Sequence, residues 1–267
     1  MISGWWQRLQ LRRQDAAAAR RPIPDDLWKR TLGRHAFLRR VDEADAAELR
    51  RLTSLFLDRK EFGASGGLRL RDAMVVAIAA QAVLPVLRLG LARYDGFVGI
   101  VLHPGQVVAR RQHTDEDGLV HEYDEVLAGE AMESGPVMLS WQDVGSAGRS
   151  AAQSYNVVIH EFAHVLDMAD GVAGGVPLLP PDLPRSEWLA TMRNEFAALQ
   201  ARIEAHEPTV LDPYGTHGDE EFFAVASEAF FVNPLGLQVQ HPQLYALFTR
   251  FYKQDPARDT PAPRRVS

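Results

Sequence analysis

The chain has 267 residues, 46% hydrophobic and 24% charged. That excludes a disordered, collagenous or fibrous protein and allows one large domain or two small ones. Its 29 Lys and Arg against 35 Asp and Glu leave a formal net charge of −6 and it contains no Cys, so a dedicated nucleic-acid binder, a disulfide framework, thiol catalysis and any Cys-containing zinc site are not expected, and the cytoplasm is.

Residues 1–40 carry ten Lys and Arg against three Asp, with Trp5 and Trp6 just before the Arg cluster. They read as an interfacial anchor, as a partner-binding arm, or as a loosely docked terminus; the last is the expectation, because chain ends are often poorly ordered. Arg8 and Arg12 stand where a signal peptide would need its apolar core, so secretion is not expected. From Asp26 to Leu89 the periodicity is helical. Val41, Ala44, Leu49, Leu52, Leu55 and Phe56 recur at mostly three- and four-residue steps. A second, more buried helix runs from Arg71 to Leu89, bent or ended by Pro85, and Gly63 to Gly67 marks the turn between the two. The longest strongly apolar run, Ala73 to Leu87, is too short for a membrane span.

The pattern then changes to short strands. Phe97 to His103 is β-branched, Leu119 to Leu127 alternates loosely with enough charge for an exposed strand, and Val137 to Trp141 is a short buried one. Helices return at Ala151–Met168, at Ser186–His206 with Ser186 as N-cap, at Glu220–Val232 and at Gln243–Tyr252. The expected fold is therefore α+β, mainly helical, with a small mixed sheet of three or four strands. Residues 1–40 are expected as a basic, partly ordered arm, 41–255 as a single domain and 256–267 as a disordered tail.

The chemistry is concentrated in Val157 to Asp167, which contains His160-Glu161-Phe162-Ala163-His164. Positions i and i+4 of a helix share a face, so both imidazoles reach one ion, and Glu161 lies one residue round from the first. The rest of the helix is apolar. Two His and a Glu in a buried helix need a reason; the bland one is a hydrogen-bonded pair of core histidines.

A catalytic zinc site wants a third protein ligand and an open position. Asp170 stands where one subclass places its third ligand, but the glycine that subclass needs is absent, since position 167 is Asp. Glu187 and Glu195 lie on the Ser186–His206 helix without a supporting context. The best candidate segment is Tyr214 to Glu228. There Glu221 and Glu228, seven residues apart, share one helical face, so one could ligate metal while the other orients a ligand imidazole. The bland reading of the acids at this helix start is favourable charge at an N-terminus. His217 is a weaker competitor for the metal. Asp167, one turn after His164, either accepts from a ligand imidazole or caps local backbone.

The HEFAHVLD helix, the later D-P-Y and E-E-F-F-A-V-A-S-E-A-F-F segments and the closing F-Y-K-Q-D-P resemble the Mlc titration factor A family of cytoplasmic bacterial zinc peptidases. So do L-P-V-L-R-L-G-L from Leu84, D-G-F at Asp95 and G-P-V-M-L-S-W from Gly135. The likeness runs from about Leu55 to Pro256, and the catalytic region is also similar to the protease domain of anthrax lethal factor. The resemblance implies a zincin-like peptidase domain that holds one Zn2+ per chain through His160, His164 and Glu221. It implies Glu161 as the catalytic carboxylate and Tyr214 near the reacting carbonyl; Glu228 and Asp167 stay as the supports that their helical positions suggest. It further implies aminopeptidase activity on small amino-acid substrates and binding of a sugar-uptake transcription repressor, Mlc. The alternative it leaves is a binding protein that sequesters a repressor, with a non-catalytic zinc site. An extended substrate is expected to pair with an exposed strand beside the site helix, with Leu119–Leu127 as the candidate.

Overall fold

The computed structural model describes residues 14–114, 120–127, 129–131, 135–146 and 154–258, leaving aside the side chains of 107–127 and 170. Helical residues 14–20 and α1 (Asp25–Arg34) open this part of the chain. Within the segment expected as a loosely docked arm, Ile23, Leu27, Trp28, Phe37 and Leu38 are buried and join the main core. Each such side chain stabilises the fold by about 1.5–3 kcal/mol on burial. Trp5, Trp6, Arg8 and Arg12 lie outside the described residues.

Helix α2 (Glu43–Arg59) starts at Asp42, whose carboxylate accepts the Asp45 N–H at 2.7 Å. Helix α3 (Asp72–Val83) is apolar on nearly every side and correspondingly buried. It stops two residues before Pro85, which lacks the N–H that would continue the ladder. Between α2 and α3 runs β1 (Glu61–Ala64). The turn expected over Gly63–Gly67 thus begins later, at Ser65, and its positive φ falls on Gly66 and Gly67 at 58° and 76°.

Strand β1 is the first of a mixed four-stranded sheet ordered β1, β2 (Gly99–His103), β6 (Val137–Ser140) and β5 (Gly129–Ala131). The pairings β1–β2 and β2–β6 are parallel, and β5 is antiparallel to β6. Ile100 opposes Val137 and Leu102 opposes Leu139. All four are buried, as alternate residues on the helix-covered face of a sheet should be. A separate two-stranded antiparallel sheet joins β3 (Val107–Thr114) to β4 (Val120–Leu127). The exposed strand expected at Leu119–Leu127 is therefore β4, half of that hairpin. The edge of the main sheet next to the histidine helix is β5 instead.

Short α4 (Trp141–Ser146) leads towards the helical half of the molecule: α5 (Val157–Asp167), α6 (Arg185–Glu204), α7 (Asp219–Val232), α8 (Pro234–Gln240) and α9 (Pro242–Tyr252). Pro184 rather than Ser186 occupies the N-cap of α6. Asn233-Pro234 turns the chain by 119° between α7 and α8, and the Asn233 side chain accepts the Gly236 N–H at 3.2 Å. An aromatic cluster ties these helices together. Trp188 stacks on Phe248 with centroids 5.7 Å apart and meets Phe223 and Phe251 edge-on. The tail expected from residue 256 begins packed, with Ala257 buried and its N–H bonded to the Tyr245 hydroxyl at 2.9 Å; residues 259–267 lie outside the described residues. Among the described residues no single helix is long and apolar enough to cross a membrane. The architecture is mainly helical α+β with a small mixed sheet.

Candidate metal centre

Helix α5 carries both histidines. It begins at Val157, later than the periodicity suggests, because Asn156 is an N-cap in extended conformation. The Asn156 side-chain oxygen accepts the amides of Val158 and Ile159 at 3.1 Å each, satisfying two N–H groups that a helix start leaves open. Val157, Val158, Ile159, Phe162, Ala163 and Leu166 are buried. Phe162 packs against Phe56, Tyr94 and Phe97 at ring separations of 5.8, 5.1 and 5.7 Å. This packing fixes the roll of the helix and turns His160 and His164 together towards one space, their rings 4.8 Å apart.

Helix α7 packs against α5 and brings the acids. Glu221 Oε2 lies 3.1 Å from His160 Nε2 and 3.5 Å from His164 Nε2, and the two Nε2 atoms are 3.2 Å apart. Among the described residues, His160, His164 and Glu221 form the one group of three or more metal-ligating side chains whose ligand atoms converge. The three spacings match the edges of a zinc tetrahedron: ligand atoms about 2.0–2.1 Å from the ion lie roughly 3.3–3.4 Å from one another. Glu221 Oε2 is buried and, among the described residues, has no hydrogen-bond partner although it lies close to the two nitrogens. A buried carboxylate oxygen left unpaired beside two imidazole nitrogens is an energetic cost that a cation removes. The donor set and its spacing therefore fit a zinc ion.

The other side of the His160 ring is also held. Its Nδ1 lies 2.7 Å from Glu228 Oε1, one helical face along from Glu221. The carboxylate accepts the Nδ1–H, which leaves the Nε2 lone pair facing Glu221 and His164. The second Glu228 oxygen accepts the Asn156 backbone N–H. The Asn156 side-chain amide donates to Gln81 Oε1 at 2.9 Å, and Gln81 donates to the Ala77 carbonyl at 3.0 Å. Asn156 and Gln81 are fully buried, and the hydrogen bonds of this network pair their side chains with each other and with the neighbouring backbone.

Electrostatics separate the acids. Burial pushes Glu221 up, but the His160 and His164 rings outweigh it and hold its carboxyl well below the usual range. Glu161 is buried beside the same histidines, and burial pushes its carboxyl up to about 7 despite the pull of both rings. Glu228 is raised by burial and drawn back by its bond to His160. Tyr155, next to the cap, is raised by burial first and then by the Asp143, Glu228 and Glu161 carboxylates.

Tyr214 sits in a 3-10 turn, Pro213–Thr216, whose start is capped by Asp212 accepting the Tyr214 N–H at 2.9 Å. The Tyr214 ring lies 6.1 Å from the His160 ring and is 40% exposed, which puts it at the solvent side of the cluster. His217 packs 4.7 Å from Tyr214, with its Nδ1 bonded to the Tyr214 carbonyl at 2.8 Å. It is not part of the converging group. Asp167 is buried, and its Oδ2 accepts the Gly174 and Gly175 amides at 2.8 Å each, pinning the loop after the helix. Gly175 there has φ of 69° and abuts the Asp219 backbone at the start of α7. The alternative third ligands are elsewhere: Glu187 pairs with Arg250 at the surface, and Glu195 with His241 at 2.7 Å in the interior. The Asp170 side chain lies outside the described ones. Sequence reasoning missed Asn156 and Gln81, as well as Gly129 of β5, which faces Glu161. Only Asn156 carried a signal, as an Asn directly before an apolar helical run.

The model of a family described as glucose-regulated metallo-peptidase M90 matches residues 7–253. The match starts well before Leu55 and takes in most of the basic N-terminal segment. Relatives named Mlc titration factor A are similar along most of their length. That of Pectobacterium atrosepticum is 36% identical over 220 residues, 81% of this chain and 82% of its own. That of Serratia proteamaculans is 37% identical over 220 residues, with the same coverage. That of Edwardsiella ictaluri is 39% identical over 192 residues, 71% of this chain and 72% of its own.

Proposed function

The chain belongs to the glucose-regulated metallo-peptidase M90 family, and from that premise we propose that it is a zinc-dependent peptidase of zincin-like construction, acting as an aminopeptidase on short peptides. The observation that carries the proposal is the convergence of His160 Nε2, His164 Nε2 and Glu221 Oε2 beside the buried Glu161.

When bound, a zinc ion supplies the Lewis acidity that activates water at neutral pH and polarises a carbonyl. His160, His164 and Glu221 hold it, and Glu228 keeps the His160 proton on Nδ1 so that Nε2 stays a ligand. Glu161, buried beside the two histidines, takes the proton of the attacking water and passes it to the leaving amine. The Tyr214 hydroxyl, on a ring at the solvent side of the cluster, donates a hydrogen bond to the developing oxyanion. The substrate backbone adds to β5, which among the described residues pairs only with β6. Asp167 acts on the site indirectly, by fixing the loop that abuts the start of α7.

The test is hydrolysis of amino-acid anilides and short peptides by zinc-loaded protein, with Glu161→Gln alongside. Turnover that falls by about 100-fold or more in the variant and vanishes with a chelator supports the reading. Equal, negligible rates in both proteins with zinc bound one to one overturn it.

The relatives' name favours a second role, since those proteins are called titration factors of Mlc. We infer that this chain also binds a repressor of that type, through a surface that does not need Glu161. Repressor captured equally by wild type and Glu161→Gln supports this; capture by neither removes it.

A further inference from the structure

Gly129 lies in β5, where the edge of the main sheet passes over α5. A methyl group built on it would sit 2.5 Å from Glu161 Oε1, 2.6 Å from Cγ and 2.7 Å from Cδ. Real Cβ atoms keep about 3.4 Å or more from such neighbours. The overlap involves the whole outer half of a buried side chain, so the clash cannot be relieved by swinging a free end into solvent. The backbone itself does not ask for glycine here: the φ of Gly129 is not in the left-handed region, and it pairs with Leu139 as an ordinary strand residue. Glycine inside a strand is normally a weakness, and where it persists it often marks close approach by another group.

We propose that Gly129 is a positioning residue for Glu161: its missing side chain is the space in which the carboxylate is held. The proposal deepens the peptidase reading and rests on it for its kinetic part. Any side chain at 129 pushes Glu161 aside by about 1 Å, and a displacement of that size in a reacting group costs on the order of 100-fold in rate. The three atoms nearest that methyl group all belong to Glu161, so the displacement falls on Glu161 and the spacing of His160, His164 and Glu221 is expected to hold.

The experiment is Gly129→Ala, alone and combined with Glu161→Ala, read out by peptide hydrolysis, zinc titration and thermal unfolding. The expected result is a fall in kcat of roughly 100-fold with KM and zinc affinity within about threefold of wild type. Gly129→Ala is expected to lower Tm in the Glu161 background and to leave it unchanged or raise it in the Glu161→Ala background, where the added methyl has room and stiffens the unfolded chain. Wild-type kcat in Gly129→Ala overturns the proposal. So does an equal loss of Tm in both backgrounds, which would mean that the strand and not the carboxylate needs the glycine. If wild type itself hydrolyses nothing, the peptidase reading fails, and the pair of Tm differences alone decides whether Gly129 makes room for Glu161.

Discussion

Asn156→Ala is the most informative single change outside the metal ligands. It removes the oxygen that accepts the Val158 and Ile159 amides, and an N-cap of this kind contributes about 1 kcal/mol. It also removes the donor to Gln81 Oε1. Gln81 is fully buried, and a buried acceptor left unpaired costs about 1–3 kcal/mol. Together the two effects come to roughly 2–4 kcal/mol, or roughly 5–15 °C in Tm for a chain of this size. The backbone N–H of residue 156 survives in alanine and still reaches Glu228, so zinc affinity falls less than stability does. Calorimetric unfolding of the chelator-treated variant measures the first effect and zinc titration the second. Asn156→Ser keeps a capping oxygen and falls between wild type and alanine. A Tm for Asn156→Ala within 2 °C of wild type would refute the account of the buried network.

Other expectations follow from the same geometry. Glu228→Gln keeps the shape but must face one of its two donors, His160 Nδ1–H or the Asn156 N–H, with an amide NH2. Zinc affinity in a chelator competition assay is expected to fall about 10–100-fold. His35 is buried, and its imidazole is pushed down to about 4 by burial, with Arg34 adding to the effect. Its folded-state value therefore lies below the ordinary 6.5, so folding favours the neutral ring. The associated stability is fully present above pH 6.5 and is lost as pH falls towards 4, a difference of about 3 kcal/mol at the acid end. Denaturant unfolding from pH 7 to 4 should show this loss in wild type and a shallower one in His35→Gln; parallel curves would exclude His35 as its source.

Much of the site could be read from the residues because helices impose their own spacing. His160 and His164 at i and i+4, and Glu221 and Glu228 at i and i+7, each had to share a face whatever the fold. What no spacing could reveal was the contact between α5 and α7, made by side chains some sixty residues apart. Asn156 was hidden inside an expected Ala151–Met168 helix, because its apolar successors continue a pattern that the cap itself interrupts. The sheet was harder. Gly63 suggested a turn but is a half-buried residue of β1, paired with Val101 of β2. The charged alternation of Leu119–Leu127 did mark a strand, but periodicity within a strand says nothing about its partner, and the partner is β3. The three-residue strand β5 is too short to show any periodicity, so the importance of Gly129 emerges only from its distance to Glu161. Short α4 and α8 escaped notice because six or seven residues hold too few turns to show a helical stripe.

The central claim is that His160, His164 and Glu221 together hold one zinc ion. Zinc-edge X-ray absorption on protein loaded one to one tests it most directly, because it counts imidazoles and measures bond lengths. Two imidazole nitrogens at about 2.0–2.1 Å with oxygen completing a four-coordinate shell is the expected result, and Glu221→Ala should change the oxygen shell while leaving both nitrogens in place. A third imidazole, which would bring in His217, or a shell of oxygens alone would contradict the account.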